Sequence, residues 1–399
     1  MEGWKELRVP QRILMGPGPA NVAPQVLNAM AQCPIGHLDP SFLDIMNDVK
    51  AMLQAVFQTQ NDRTLAVSGT GTAGMETCLG NVIEPGDEVV VCVAGFFGDR
   101  MGAMAERMGA NVTRLDVEWG TAFEPEQVEA ALKNVGNGRR AVPPKAVAIV
   151  HAETSTGVLQ PLEDISRLTH EYGAFLLVDA VTSLGGLPVR VDEWGIDAIY
   201  SGSQKCLGSP PGLAPISVND RVLEALFNRK RPVHSWYLDL SLVGQYWGTE
   251  RIYHHTAPIN AIYGLRECLR LALEEGLEAR WARHLHHHKA LVAGIEAMGL
   301  QMHAKEGYRL PMLNTVRVPD GIDEVAVRRR LLEDYSIEIA GGLGALRGKI
   351  WRIGLMGHSS NRRNVMLFLA AFEEILIDMG YEFDKGAGIE AAAAVYHAA

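Results

Sequence analysis

Between Leu65 and Val218 the chain alternates short, continuously apolar runs with longer stretches of mixed polarity. The runs are Leu65–Val67, Val89–Val93, Val112–Leu115, Ala146–Val150, Phe175–Val178, Ala198–Tyr200 and Leu213–Val218. A strand apolar on both faces is buried on both, and such strands pair in parallel beneath helices. The pattern therefore predicts an α/β fold with a mostly parallel seven-stranded sheet and helices on both faces, its ligands held at the carboxyl ends of the strands. After Pro258 a helical segment from about Ile259 to Met298 reads as a linker helix. A strand (Leu313–Val318), a helix (Glu324–Tyr335), two strands (Ile337–Ile339 and Ile350–Ile353) and a terminal helix (Arg363–Met379) follow, a smaller α+β domain with a turn at Gly341–Gly344. We divide the chain into an N-terminal arm (1–22), a large domain (23–280) and a small C-terminal domain (281–399). The tail from Lys385 reads as a loosely held helix.

Charge narrows the function classes. Thirty-seven Lys and Arg against 47 Asp and Glu give a formal charge of -10 without long like-charge runs, which recommends neither nucleic acid nor an anionic membrane as partner. The five cysteines, Cys33, Cys78, Cys92, Cys206 and Cys268, are scattered and odd in number, as reduced thiols are. Met1–Gln11 lacks the apolar core of a signal peptide, no stretch is apolar enough to span a bilayer, and His397-Ala398-Ala399 is no peroxisomal address. The expected setting is cytoplasmic and the expected chemistry that of small molecules.

Three places carry candidate chemistry at strand ends. Val67-Ser68-Gly69-Thr70-Gly71-Thr72-Ala73-Gly74 follows one strand and opens a helix, where backbone N–H groups and threonine hydroxyls suit a phosphate. The same residues fit a tight turn or a GxGxxG dinucleotide loop. The last wants a ribose-binding acid at the end of the next strand, where Ala94-Gly95 stands instead. Asp179 ends a second strand, either as a turn residue or as a buried carboxylate facing a ring nitrogen. Lys205, in Ser201-Gly202-Ser203-Gln204-Lys205, sits on a crowded loop of small residues. There an aldehyde cofactor would form a Schiff base, and the freed amine would serve as a base. An acid and a lysine so placed grip the two ends of a pyridine cofactor.

Other residues join this picture with an alternative beside each. Glu153-Thr154-Ser155-Thr156-Gly157 offers hydroxyls to a cofactor ring or caps the next helix. Phe96 or Phe97 stacks on a planar ring or packs in the core. Arg352, a charge within an apolar strand, binds a carboxylate or closes an internal salt bridge. Gly16-Pro17-Gly18-Pro19 lays backbone beside a cleft. The histidines 254 and 255, and 284, 286, 287 and 288, lack the accompanying ligands of a metal site, and the second group is placed on a charged helix with two or three members facing solvent.

Together these motifs resemble the class V aminotransferases of the pyridoxal-phosphate fold-type I superfamily, with most likeness to alanine–glyoxylate and serine–pyruvate (serine–glyoxylate) aminotransferases. The likeness runs through Leu14–Asn21, Gly36–Pro40, Ser155–Pro161, Val178–Ser183, Tyr253–Pro258 and Arg352–Gly357. It implies pyridoxal 5'-phosphate as cofactor, Lys205 as Schiff-base lysine and Asp179 as partner of the pyridine nitrogen. Thr70, Gly71, Thr72 and Gln204 become phosphate contacts, and Tyr253 and Thr256 complete the phosphate cup from the neighbouring subunit of a homodimer. Thr154 stands where relatives commonly carry serine, and Phe97 where they carry a stacking tryptophan. Arg352 would bind the substrate α-carboxylate, with Gly36, Thr154 and the Gly16–Pro19 loop lining a small-substrate pocket. The implied reaction moves an amino group from alanine or serine to glyoxylate. The alternatives are a pyridoxamine–pyruvate aminotransferase, a lyase or desulfurase on the same scaffold, a nicotinamide dehydrogenase, and a binding module without catalysis. A desulfurase would need a mobile cysteine near the substrate, whereas every cysteine here precedes the small domain.

Overall fold

The computed structural model describes residues 4–135 and 143–398, so the first residues of the N-terminal arm and the last of the terminal tripeptide lie outside it. Its centre is the expected sheet. The strands are β1 (Arg63–Ser68), β2 (Glu88–Val93), β3 (Asn111–Asp116), β4 (Ala146–Val150), β5 (Phe175–Asp179), β6 (Ala198–Tyr200) and β7 (Leu213–Val218). They lie in the order β1-β7-β6-β5-β4-β2-β3, with β7 antiparallel to both neighbours and every other pair parallel. All five residues of β4 and of β5 are buried, while edge strand β3 alternates toward solvent, which is why its apolar run is the least continuous. One hydrophobic core joins this sheet to its covering helices, from Val26 to Leu269.

Helix α1 (Gly71–Val82) follows β1 directly and α2 (Phe96–Arg107) follows β2. Both therefore begin above the carboxyl edge of the sheet, where β5 and β6 also end. Register places Val150 beside Asp179 and Asp179 beside Tyr200. Three strand ends converge on one line.

The expected single linker helix is two helices, α3 (Ile259–Glu275) and α4 (Leu277–Ala297), because Gly276 adopts φ 84, a left-handed value that breaks the helical path. The division placed at residue 280 falls inside α4. Beyond it an antiparallel sheet of β8 (Leu313–Arg317), β9 (Ala340–Gly341) and β10 (Ile350–Gly354) runs in the order β8-β10-β9 and packs on α4, α5 (Arg362–Asp378) and α6 (Ala387–His397). Gly341 belongs to β9, so the turn predicted at Gly341–Gly344 begins one residue later. Ile13–Leu14 pairs in parallel with Ile337–Glu338, and Met15 is buried in the second core, which ties this part of the N-terminal arm to the small domain.

Two expectations fail here for physical reasons. The tail is firmly held, because buried Glu373 accepts from the N–H groups of Gly386, Gly388 and Ile389 and so caps α6. Three of the four α4 histidines face inward: His284, His287 and His288 are buried and bonded to the Arg280 carbonyl, the Tyr396 hydroxyl and the Asn314 amide oxygen, while His286 is half-buried. Gly357 N–H donates to His284 Nε2, which fixes the proton on Nδ1, and burial pushes this imidazole down to about 3. No group of residues suited to hold a metal ion occurs among the described residues.

Candidate active site

A cleft at the carboxyl edge of the large sheet is lined by Thr70, Gly71, Thr72, Phe97, Thr154, Asp179, Gln204 and Lys205, eight of the expected site residues. Each arrives from a strand end or from the helix that follows it. Thr70 precedes α1 and makes no side-chain capping bond. The first-turn N–H groups of Gly71 and Thr72 have no carbonyl within the helix to bond, so this end of α1 is ready for an anion.

Asp179 closes β5 and is 3% exposed. Its carboxylate accepts from Val181 N–H at 2.8 Å and from the Tyr200 hydroxyl at 2.7 Å. Burial nevertheless pushes the carboxyl up to about 6, and these two bonds offset only part of the rise. A buried carboxylate left at that value is one that a cationic N–H would draw back down.

Lys205 is also buried, on a turn held from several sides. Ser203 donates from its N–H to Leu213 and from its hydroxyl to Pro210, Ala20 N–H reaches the Gln204 carbonyl, and Arg280 of α4 donates to the Cys206 carbonyl at 2.6 Å. The ammonium donates to the Pro17 carbonyl, which places the Gly16–Pro19 loop against the cleft as expected. A Cβ on Gly18 would lie 2.5 to 2.9 Å from the end of the lysine side chain and displace it, and φ 102 itself favours glycine there. Burial first, and then the neighbouring Arg352 cation, bring the amine down to about 8, against a smaller opposing pull from Asp179.

Modification of Lys205 by an amine-reactive reagent in the cofactor-free protein should therefore follow a midpoint near pH 8, read by mass spectrometry. Arg352→Met should raise that midpoint, since it removes a like charge. A wild-type midpoint above pH 10 would contradict the assignment.

Arg352 lies in β10 and is 5% exposed, with Nε donating to the Gly341 carbonyl at 2.7 Å and Nη1 to the Thr154 carbonyl at 3.3 Å. It has no carboxylate within ion-pair distance among the described residues, so the internal salt bridge is not what holds it there. Gly36, Tyr253 and Thr256 are not brought into this cleft. All three are exposed, and Tyr253 packs its ring 5.3 Å from that of His37.

Three contributors went unread in the sequence. Tyr200 supports Asp179. Glu153, 1% exposed, accepts from the N–H groups of Phe97 and Gly98 at 3.1 and 3.2 Å and from Ser155, while the Ser155 hydroxyl accepts from Phe96 N–H at 2.9 Å. The Glu153–Ser155 segment thus caps α2, an earlier helix, and not the next one, and so sets where Phe97 stands. Arg100, on α2, lines the cleft beside Thr72. Its position one turn beyond Phe96 and Phe97 was the available signal.

Pyridoxal 5'-phosphate fits these residues. Gln204 Oε1 is buried in the cleft wall without any hydrogen-bond partner, a polar atom that a ligand would satisfy. The amine, the carboxylate and the open helix N-terminus are the nucleophile, the acceptor and the donors that an aldehyde, a protonated pyridine nitrogen and a phosphate respectively need.

The family model for aminotransferase class V matches residues 13–353. The chain belongs to the class V aminotransferases. It is 44% identical to an (S)-ureidoglycine–glyoxylate transaminase of Bacillus subtilis, over 99% of this chain and 98% of that one. Among solved structures, a ureidoglycine–glyoxylate aminotransferase from Bacillus subtilis gives a TM-score of 0.95 at 45% identity, covering 98% of this chain and all of that one. An alanine–glyoxylate aminotransferase from Nostoc gives 0.91 at 49% identity, covering 94% and 97%. As a class V aminotransferase the protein is a transaminase that uses pyridoxal 5'-phosphate, and no helix among the described residues is long and apolar enough to cross a membrane.

Proposed function

We propose that this class V aminotransferase moves the amino group of a small amino acid to glyoxylate, releasing glycine. The observation that carries the reading is the cationic inventory around the cleft. Arg352, buried near Lys205, has no carboxylate within ion-pair distance among the described residues, while Arg100, which lines the cleft, already donates to Thr72 and lies over two phenylalanine rings. One carboxylate clamp suits a monocarboxylate acceptor and a donor without a second acid. Relatives named for glyoxylate point the same way.

When bound, the cofactor supplies an aldehyde that takes up the amino group and a ring that spreads the electron pair left as the α-proton departs. The chain's own residues do the rest. Arg352 fixes the substrate carboxylate and hence the Cα–H direction. Lys205 Nζ accepts that proton and returns it, and burial with the Arg352 charge, by lowering the amine to about 8, makes its unprotonated form far more accessible near neutral pH than that of an ordinary lysine. Asp179 would keep negative charge against the ring nitrogen, and Thr70, Thr72 and Gln204 would hold the phosphate.

The exposed Tyr253, Thr256 and Gly36, flanked by Trp236 stacked on His254 at 4.3 Å and by exposed Ile252, support a homodimer in which a second copy presents them to this cleft. The free cysteines, four of them buried, support a reducing, cytoplasmic setting.

Glycine formation by the purified holoenzyme, with glyoxylate and alanine, serine or (S)-ureidoglycine in turn, tests the substrate reading and ranks the donors. Turnover of pyridoxamine with pyruvate, and none with glyoxylate, would replace it.

A further inference from the structure

Arg100 is the cleft residue with the least ordinary surroundings. It has no carboxylate within ion-pair distance among the described residues; the adjacent Asp99 is taken by Arg114. Its Nη1 lies 3.1 Å from Thr72 Oγ1, and its guanidinium carbon 5.0 and 5.3 Å from the ring centroids of Phe97 and Phe96. A guanidinium has donors only, so in this contact the threonine oxygen accepts. Its own hydroxyl hydrogen is then free to donate.

Helical threonines ordinarily spend that hydrogen on the carbonyl one turn back, as Thr77 does on Ala73 and Thr169 on Ile165, each at 2.7 Å. Thr72 has no such bond. It sits in the first turn of α1, beside Gly71 and the open N–H groups. A cation with no carboxylate partner among the described residues, a hydroxyl whose hydrogen is free and a helix N-terminus converge on one spot, and their shared complement is a phosphate oxygen.

We propose that Arg100 is a positioning residue for the cofactor phosphate: by donating to Thr72 Oγ1 it turns that hydroxyl's hydrogen toward the phosphate and, through the same guanidinium, pins the Phe97 ring. The proposal rests on the pyridoxal-phosphate reading and adds that recognition of the phosphate, separately from that of the ring and aldehyde, passes through Arg100. A ring smaller than the tryptophan of relatives has less area with which to hold itself in place, and the cation over its face supplies part of that restraint.

The test measures binding to the cofactor-free protein by tryptophan fluorescence, with pyridoxal 5'-phosphate, with pyridoxal, and with inorganic phosphate as competitor. In Arg100→Met we expect affinity for pyridoxal 5'-phosphate and for inorganic phosphate to fall about 10- to 100-fold, the range for a lost hydrogen bond to a charged group. Pyridoxal should change by less than about threefold, through the ring alone. Arg100→Lys, which keeps the charge and one donor, should recover part of the loss for the phosphate ligands. Equal weakening of pyridoxal and its phosphate would make Arg100 merely structural and overturn the proposal, as would unchanged phosphate affinity. Should Arg100→Met not fold, Arg100→Lys decides alone by the same ratio. A wild-type protein that binds pyridoxal 5'-phosphate no better than pyridoxal would instead remove the phosphate site itself.

Discussion

Lys205→Ala should reduce turnover by at least about 10⁴-fold, the upper range for a positioned acid–base group, and abolish the visible absorbance that a lysine-linked cofactor gives. The cofactor should still bind, since Asp179, Gln204 and the α1 N-terminus are untouched. Stability supplies an independent readout with a defined sign. The folded lysine is held near 8 and the unfolded one near 10.5, so the native state carries the full cost of a buried charge below pH 8. Between about pH 8 and 10.5 the folded amine has lost its proton while the unfolded one retains it, and the cost disappears. Denaturant midpoints of the cofactor-free proteins should therefore show wild type gaining on Lys205→Ala as pH rises from about 8 toward 10, with a constant difference below. A variant that keeps turnover and the visible band would remove Lys205 from the reaction. A difference independent of pH would show that the amine is not held down.

The sheet was legible because burial on both faces writes itself as uninterrupted apolar runs; even three-residue β6, Ala198–Tyr200, was visible between Asp197 and Ser201. The residues that line the cleft were legible for a related reason. Strand ends beside glycine-rich turns are where such a sheet leaves backbone open, and Thr70, Asp179 and Lys205 all stand there. What escaped depends on distance in sequence. Glu153 caps a helix more than fifty residues before it, Arg100 reaches back to Thr72, and Ile13–Leu14 pairs across the whole chain to Ile337–Glu338. No local period records such pairings. The α4 histidines mislead differently: a charged, histidine-rich sequence reads as solvent-facing, yet each buried ring here meets a polar partner that compensates its burial. Gly36, Tyr253 and Thr256 belong to a third class: the resemblance alone singled them out, and in the single chain they are exposed and outside the cleft, so their part rests on the dimer proposed above.

Asp179→Asn should lower turnover by about 10³-fold, comparable with losing a preorganised charge at a reacting centre, while leaving the cofactor-free fold at least as stable near pH 8. The asparagine side chain can still accept from Val181 N–H, so the strand end keeps its shape. It cannot keep a proton on a ring nitrogen, and the electron pair left by the departing α-proton loses its sink. The pH dependence follows from burial. With the folded carboxyl near 6 and the unfolded one near 3.8, the folded protein retains a proton that the unfolded chain has released between those values. Wild-type stability relative to the asparagine variant should thus fall as pH rises from about 4 to 6, and the variant's advantage should be complete above 6. Filling the site with pyridoxal 5'-phosphate should reverse the ranking, since a cationic ring N–H turns the buried charge from a cost into one half of an ion pair. Thermal midpoints of the four species, each protein with and without cofactor, measure this directly. If the cofactor stabilises both proteins equally, Asp179 does not face the ring nitrogen.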